Sequence, residues 1–181
     1  MKFIGILTRT CWMAVVVLIV GCDEGERKDI SSYLGIVVPP TASHIKVFKD
    51  QLDPDYKRPY NIYITFSLDS ISVMDMIYKA GLIEKEDDYK QKMCLKNADS
   101  LFIENLWKFK TKYGLEASVD FKKDVWWWNP ESDQLLLFAS FYKEDGKKKI
   151  EPCYLKHWDG RVLLGYDRIK GMAYILIEVF M

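Results

Sequence analysis

The sequence predicts an α+β domain, in which an antiparallel sheet of about six strands has two helices packed on one face. Three observations predict this class. First, apolar residues alternate with a period of two in an early and a late part of the chain. Second, apolar residues recur at helical spacing between those two parts. Third, turn signals separate the strand-like segments of the late part.

The first two strands are predicted from alternation. Residues 44–50 (HIKVFKD) alternate, with Ile45, Val47 and Lys49 on one side, and residues 60–67 (YNIYITFS) alternate more clearly. Two prolines in the segment between them indicate a loop, so we expect the two strands to pair antiparallel. In the second strand, one face holds Tyr60, Ile62, Ile64 and Phe66, and the other holds Asn61, Tyr63, Thr65 and Ser67.

Two helices are predicted in the middle of the chain. Residues 70–81 show helical spacing, with Ser70 and Ser72 as candidate N-caps and Gly81 as the stop. A second helix is predicted over residues 97–113, where Asn97 is the candidate cap. The stripe of the first helix that we expect in the core comprises Val73, Met74, Ile77 and Tyr78.

Four strands are predicted after residue 133, at 134–143, 150–157, 161–167 and 172–180. Glycine-containing turns separate them, which favours an antiparallel meander. The last strand is apolar on both sides and should therefore lie centrally in the sheet. Its predicted faces are Tyr174, Leu176 and Glu178 on one side and Ile175, Ile177 and Val179 on the other.

The N-terminus combines a basic start with a short apolar run. The run covers residues 11–20, which is half of the roughly 20 residues that a membrane-spanning helix needs. Lys2 and Arg9 precede it, and six of the seven residues after Cys22 are charged. This order is typical of a secretory signal rather than a membrane span.

The signal ends in Ile19-Val20-Gly21-Cys22, which resembles the lipobox of the bacterial lipoproteins. Gly21 is small enough for a peptidase to close on the bond after it, and Cys22 supplies a strongly nucleophilic thiol. The resemblance implies cleavage between Gly21 and Cys22 and acyl chains such as palmitate on Cys22, which would anchor the mature chain stably. The alternative is a short amphiphilic terminus in which Cys22 is an ordinary thiol.

The same resemblance implies a place in the cell envelope. The anchored domain would face the periplasm or the exterior. In enteric-type bacteria, an aspartate at the position of Asp23 retains a lipoprotein at the inner membrane, whereas other groups export such proteins. The resemblance covers about 22 residues and implies nothing about the domain that follows.

The predicted organisation is a signal peptide (1–21), a lipidated tether (22–40) and a single domain (41–181). The mature chain of 160 residues is long enough to bury its own core. It carries 24 basic and 26 acidic residues, a balance that argues against a nucleic-acid-binding protein.

Two cysteines and two histidines bear on cross-links and metals. Cys94 and Cys153 are candidates for a disulfide in an exported domain, and the alternative is two separate buried thiols. Neither His44 nor His157 has a Cys or His neighbour at metal-ligand spacing. We expect neither a metal nor another cofactor.

The segment VWWWNP, residues 125–130, is the candidate binding site. If it is a strand, Trp126 and Trp128 point to one side and Trp127 to the other. Exposed rings there would stack on sugars or anchor a protein partner, and Trp158 would extend the surface. The alternative is that both sides are covered and the three rings belong to the core.

Catalytic interpretations have less support. His157, Asp159 and Arg161 lie around a predicted turn and form either an acid–base set or an ordinary rim. Asp120 and Asp124 are either paired carboxylates or part of a solvated loop. The sequence contains no GxSxG, SxxK, P-loop or GxGxxG motif.

Three functions are consistent with these observations. The first is a non-enzymatic, membrane-anchored domain that binds an envelope protein or glycan. The second is an inhibitor or immunity lipoprotein that neutralises a toxin or a lytic enzyme. The third is an envelope hydrolase that uses carboxylates or His157.

Overall fold

A seven-stranded sheet forms the centre of the described part of the molecule. The structure, a computed structural model, describes residues 27, 30–31, 36–50, 61–85, 100, 123, 125–130, 134–143, 149–151 and 160–179. Its elements are β1 (Ser43–Asp50), β2 (Asn61–Ser67), α1 (Ser70–Ala80), β3 (Ile83–Glu84), β4 (Leu135–Lys143), β5 (Lys149–Glu151), β6 (Gly160–Asp167) and β7 (Met172–Val179).

The strands follow the order β1-β2-β7-β6-β4-β3, and each pair of neighbours is antiparallel. This order confirms the predicted antiparallel sheet with a helix packed on it. It also confirms that the last strand, β7, lies centrally in the sheet. The second predicted helix, residues 97–113, lies outside the described residues except for Ser100, which is helical. Within the described ranges, no helix is long and apolar enough to cross a membrane.

The predicted meander is wrong, because β5 does not lie between β4 and β6. It pairs with the end of β4, and β4 pairs directly with β6 along eight residues, from Leu135 opposite Asp167 to Tyr142 opposite Gly160. β5 is only three residues long and is followed in sequence by Pro152. Because proline has no N–H to donate, a longer ladder is disfavoured there.

Both faces of the sheet are buried, whereas the sequence predicted helices on one face only. On the first, called the helix face, β2, β6 and β7 contribute Ile62, Ile64, Phe66, Val162, Leu164, Ala173, Ile175 and Ile177. On the second, called the tryptophan face, they contribute Tyr63, Leu163, Tyr174 and Leu176. The predicted division of β2 and β7 into two faces is therefore confirmed for these residues.

Helix α1 covers the helix face through Val73, Met76 and Ile77. Its cap is Asp69, whose carboxylate accepts a hydrogen bond from the Ser72 N–H at 2.9 Å, so the predicted caps Ser70 and Ser72 are wrong. Gly81 ends the helix with a φ of 70°, as predicted. Two predicted core residues, Met74 and Tyr78, are exposed because they lie on the side of the helix opposite the sheet.

The folded part of the chain begins earlier than the predicted boundary at residue 41. Ile30, Ile36 and Val38 are buried in the cluster on the helix face. Arg27 donates hydrogen bonds to the carbonyl oxygens of Pro40, at 2.8 Å, and Ala42. Within the described residues, the predicted tether, 22–40, therefore contributes these three apolar side chains to the core.

The β6–β7 turn is organised by a buried carboxylate. Asp167 accepts hydrogen bonds from the backbone N–H groups of Ile169 and Lys170, both at 3.0 Å. The Lys170 ammonium lies 3.5 Å from its other oxygen. These groups, the Lys170 N–H foremost, hold the pKa of Asp167 below its ordinary value.

We expect Asp167→Asn to cost about 1 kcal/mol of unfolding free energy at pH 7. A carboxyl group whose pKa is lowered in the native state stabilises that state at any pH above the group's ordinary pKa. This contribution is lost as the pH falls below about 4. The difference between wild type and variant should therefore shrink between pH 5 and pH 3. Urea unfolding at several pH values measures it, and a difference that stays constant over this range would contradict the assignment.

Candidate functional site

A cluster of aromatic rings covers part of the tryptophan face. Trp128 is 2% exposed and packs edge-on against two tyrosines of the sheet. Its ring centroid lies 5.1 Å from that of Tyr63 on β2 and 5.6 Å from that of Tyr174 on β7. Edge-to-face contacts of this kind are favourable beyond the area they bury. The three rings form a rigid base for the residues that precede Trp128.

The three consecutive tryptophans lie at a turn and not on a strand, so the arrangement considered for a strand, with Trp126 and Trp128 on one side, does not apply. Trp126 and Trp127 are turn residues, and the Trp128 N–H donates to the carbonyl oxygen of Val125 at 2.8 Å. Val125 and Trp128 are both buried and fix the two ends of the turn. Because the chain reverses here, Trp126 and Trp128 do not share a side as they would on a strand.

The turn presents one ring to solvent. Trp126 is 68% exposed, and the Lys46 ammonium lies 4.4 Å from its ring centroid, within the range of a cation–π contact. Trp127 is partly buried and packs edge-on against Trp128 at 6.5 Å. Phe48, also partly buried, lies 6.2 Å from Tyr63. We call Lys46, Phe48, Trp126 and Trp127 the tryptophan surface.

Strand β1 contributes two of these four residues by simple alternation. Lys46 lies opposite Thr65 and Phe48 lies opposite Tyr63, so both are on the tryptophan face. Neither residue was assigned to the site from the sequence. The signal was present, because both residues alternate with Ile45 and Val47 and therefore share the other side of the strand.

The base of the tryptophan surface is electrically neutral. Burial raises the pKa of Tyr174, and the charge of Asp167 raises it further, though less. The phenol therefore stays protonated throughout the physiological range. A ligand on this surface would meet apolar rings and the positive charge of Lys46.

Arg161, which the sequence placed in a candidate acid–base set, forms an ion pair instead. Its guanidinium donates to the carboxylate of Glu178, directly across from it on β7. Both side chains are largely buried. The other proposed members of that set, His157 and Asp159, lie outside the described residues, and so do the candidate carboxylates Asp120 and Asp124.

The remaining predicted site residues also lie outside the described ranges. They are Gly21, Cys22, Cys94, Cys153 and Trp158. Among the residues that the structure describes, no three His, Cys, Asp or Glu side chains are grouped so that they could hold a metal ion.

Comparisons with known proteins add no relative. No family model matches this chain, and no curated protein or solved structure matches it either. Function therefore has to be inferred from the chemistry of the chain's own residues.

Proposed function

We propose that this chain is an envelope lipoprotein, anchored through acyl chains on Cys22, whose domain binds an envelope protein or glycan at the tryptophan surface. The lipobox-like sequence Ile19-Val20-Gly21-Cys22 supports the anchor. The exposed ring of Trp126 supports the binding role. The domain would face the periplasm or the cell exterior.

The observation that carries the binding role is the contrast between Trp126 and Trp128. Trp126 is exposed at a turn whose end is fixed by the fully buried Trp128, which closes the turn by a hydrogen bond to Val125. A rigid ring loses little conformational freedom when a partner covers it, which is why tryptophan is enriched at the centres of binding surfaces. Lys46 beside it adds a positive charge that selects an acidic or strongly polar partner group.

The two-helix form of the fold is part of this proposal. The helical backbone at Ser100 supports a second helix over the predicted residues 97–113. Its predicted stripe of Ala98, Phe102, Leu106, Phe109 and Tyr113 would give the domain a second apolar helix surface to pack against the sheet.

We expect Trp126→Ala to weaken partner binding about 30-fold, the effect of a binding residue that contributes about 2 kcal/mol. Folding should change by less than about 1 kcal/mol, because the ring is mostly exposed and its contact with Lys46 is a cation–π contact at the surface. Crosslinking in intact cells measures protein partners, and sedimentation with purified cell-wall glycan measures glycan binding.

Tyr78→Ala is the matched control, since it removes an aromatic ring that is 85% exposed on the other side of the sheet. In the sedimentation assay, where no membrane is present, it should leave the sedimented fraction unchanged. If Trp126→Ala captured as much protein partner and as much glycan as the wild type does, the tryptophan surface would not be the binding site.

A further inference from the structure

We propose that the outward side of α1 rests on the bilayer that holds the acylated Cys22, so that the tryptophan surface faces away from the membrane. This inference depends on the anchor proposed above and adds a second contact and an orientation to it. We call the contact the helix patch, which comprises Ile71, Met74, Tyr78 and Ile169.

The helix patch is an apolar stripe where a surface helix normally carries polar residues. Ile71, Met74 and Tyr78 recur at i, i+3 and i+7, on the side of α1 opposite the buried Val73 and Ile77. Ile71 is 82% exposed and Tyr78 is 85% exposed. Exposed apolar residues that adjoin in this way mark an interaction site.

The β6–β7 turn extends the patch beyond the helix. The Leu68 N–H, just before α1, donates to the carbonyl oxygen of Gly171 at 3.0 Å, and the Tyr166 hydroxyl donates to the carbonyl oxygen of Leu68 at 3.1 Å. A shallow depression between the two elements is lined by Ser70, Ile71, Met74 and Arg168. The exposed Ile169 therefore belongs to the same surface as the helical stripe.

The length of chain before Arg27 identifies the membrane as the occupant. Arg27 is fixed to the carbonyl oxygens of Pro40 and Ala42, so only residues 22–26 separate the proposed lipid from the folded domain. Five fully extended residues span about 17 Å. A domain on so short a connection stays beside the bilayer, and the side near Arg27 meets the lipid.

That side is the one that carries α1. Ile36 and Val38 belong to the same buried cluster as the inner stripe of the helix. A groove of about 230 Å³ is lined by Val37, Pro39 and Pro40 from the entering segment and by Asp75, Met76, Lys79 and Ala80 from α1. The entering chain and the helix patch therefore occupy one layer of the domain, while Trp126 lies over the opposite face of the sheet.

The composition of the patch suits a lipid headgroup region. Isoleucine and methionine side chains gain by leaving water, and a tyrosine places its ring among the headgroups with its hydroxyl in water. Arg168 lines the depression together with Ile71 and Met74, and its long basic side chain can reach lipid phosphates from there. The nearby acids have internal roles, since Asp75 pairs with Lys79 at 2.6 Å and Asp69 and Asp167 cap α1 and the β6–β7 turn.

The test uses the full acylated protein, purified and reconstituted into vesicles of phosphatidylethanolamine and phosphatidylglycerol that contain a photoactivatable phospholipid. Peptide mapping then compares the lipid crosslinks on α1 with those on the turn that contains Trp126. We expect the α1 peptide to carry about ten times more crosslinked lipid, the ratio given by an orientational preference of about 1.4 kcal/mol. Trp126 is the internal control, because it is a large exposed side chain on the opposite face.

A double variant, Ile71→Ser with Tyr78→Ser, removes the apolar stripe at two exposed positions where substitutions have little effect on folding. Its crosslinks to the β6–β7 turn should fall to the level found at Trp126. Circular dichroism confirms that the variant is folded.

Equal crosslinking of α1 and the Trp126 turn on a protein that carries acyl chains would overturn the orientation and leave the anchor intact. A bifunctional reagent added to the same vesicles that joins α1 to a second copy of the chain, with α1 free of crosslinked lipid, would also overturn it. Intact mass spectrometry of the same sample reports the acyl chains. An unacylated Cys22 would overturn both the anchor and the orientation.

Discussion

Trp128→Ala is expected to lower the free energy of unfolding by about 3–5 kcal/mol, because it leaves a large cavity in a packed core. The ring makes edge-on contacts with Tyr63 and Tyr174 and belongs to the same buried cluster as the sheet residues Leu163 and Leu176. It also fixes the turn that presents Trp126. The variant should therefore lose partner binding even where it stays folded.

Urea unfolding followed by circular dichroism measures this effect. Trp126→Ala is the matched control, because it removes the same side chain two residues away at an exposed position. We expect the two variants to differ by at least about 2 kcal/mol in unfolding free energy. Similar stabilities for both would show that Trp128 is not packed as the structure has it.

Arg161→Met is expected to cost about 3–5 kcal/mol, the range found when one partner of a buried ion pair is removed. Glu178 lies on the central strand β7 and is buried beside the apolar residues of the tryptophan face. Without the guanidinium opposite it, the carboxylate loses one charged hydrogen-bond donor in a region of low dielectric constant. Thermal or urea unfolding at pH 7 measures the loss.

The double variant Arg161→Met with Glu178→Leu should recover most of that stability, because apolar side chains of similar volume replace the buried pair without leaving a charge behind. Lys79→Met is the control for an exposed pair. It breaks the contact between Lys79 and Asp75, which lies on the surface of α1, and should cost less than about 0.5 kcal/mol. A double variant as unstable as Arg161→Met would contradict this account.

The sheet could be predicted because the alternation of residues along each strand shows which residues share a face. In β2 the alternation of Ile62, Tyr63 and Ile64 divides the strand between two environments, and pairing with β7 gives each side its place. In β7 both sides are apolar, and a strand buries both of its sides when it lies at the centre of the sheet. These are local signals, and the structure confirms them.

The candidate site could be predicted only in part. Three adjacent tryptophans indicated a binding surface or a core, but a strand and a turn distribute the rings differently. The hydrogen bond from Trp128 to Val125 closes a turn, and burial of these two residues against the sheet then exposes Trp126. Lys46 joins the site from a strand about 80 residues earlier in the chain, a proximity that only the sheet pairing creates.

The helix patch shows the same limit. Residues 70–80 contain two apolar stripes, and helical periodicity alone does not tell which of the two faces the core. The sheet accepted Val73, Met76 and Ile77, and Met74 and Tyr78 were left outside. The predicted stripe mixed residues of the two sides.

By itself, the sequence determined the strands with alternating faces, the helix that stops at Gly81 and the basic, apolar and cysteine order that resembles a lipobox. These features are encoded within a few neighbouring residues, where periodicity and backbone preference act directly. Only the tertiary structure decided which tryptophan is exposed, which stripe of α1 faces out, and that Arg161 pairs with Glu178. Those outcomes depend on contacts between distant segments, because burial is set by the partner that a side chain finds and not by its neighbours in the chain.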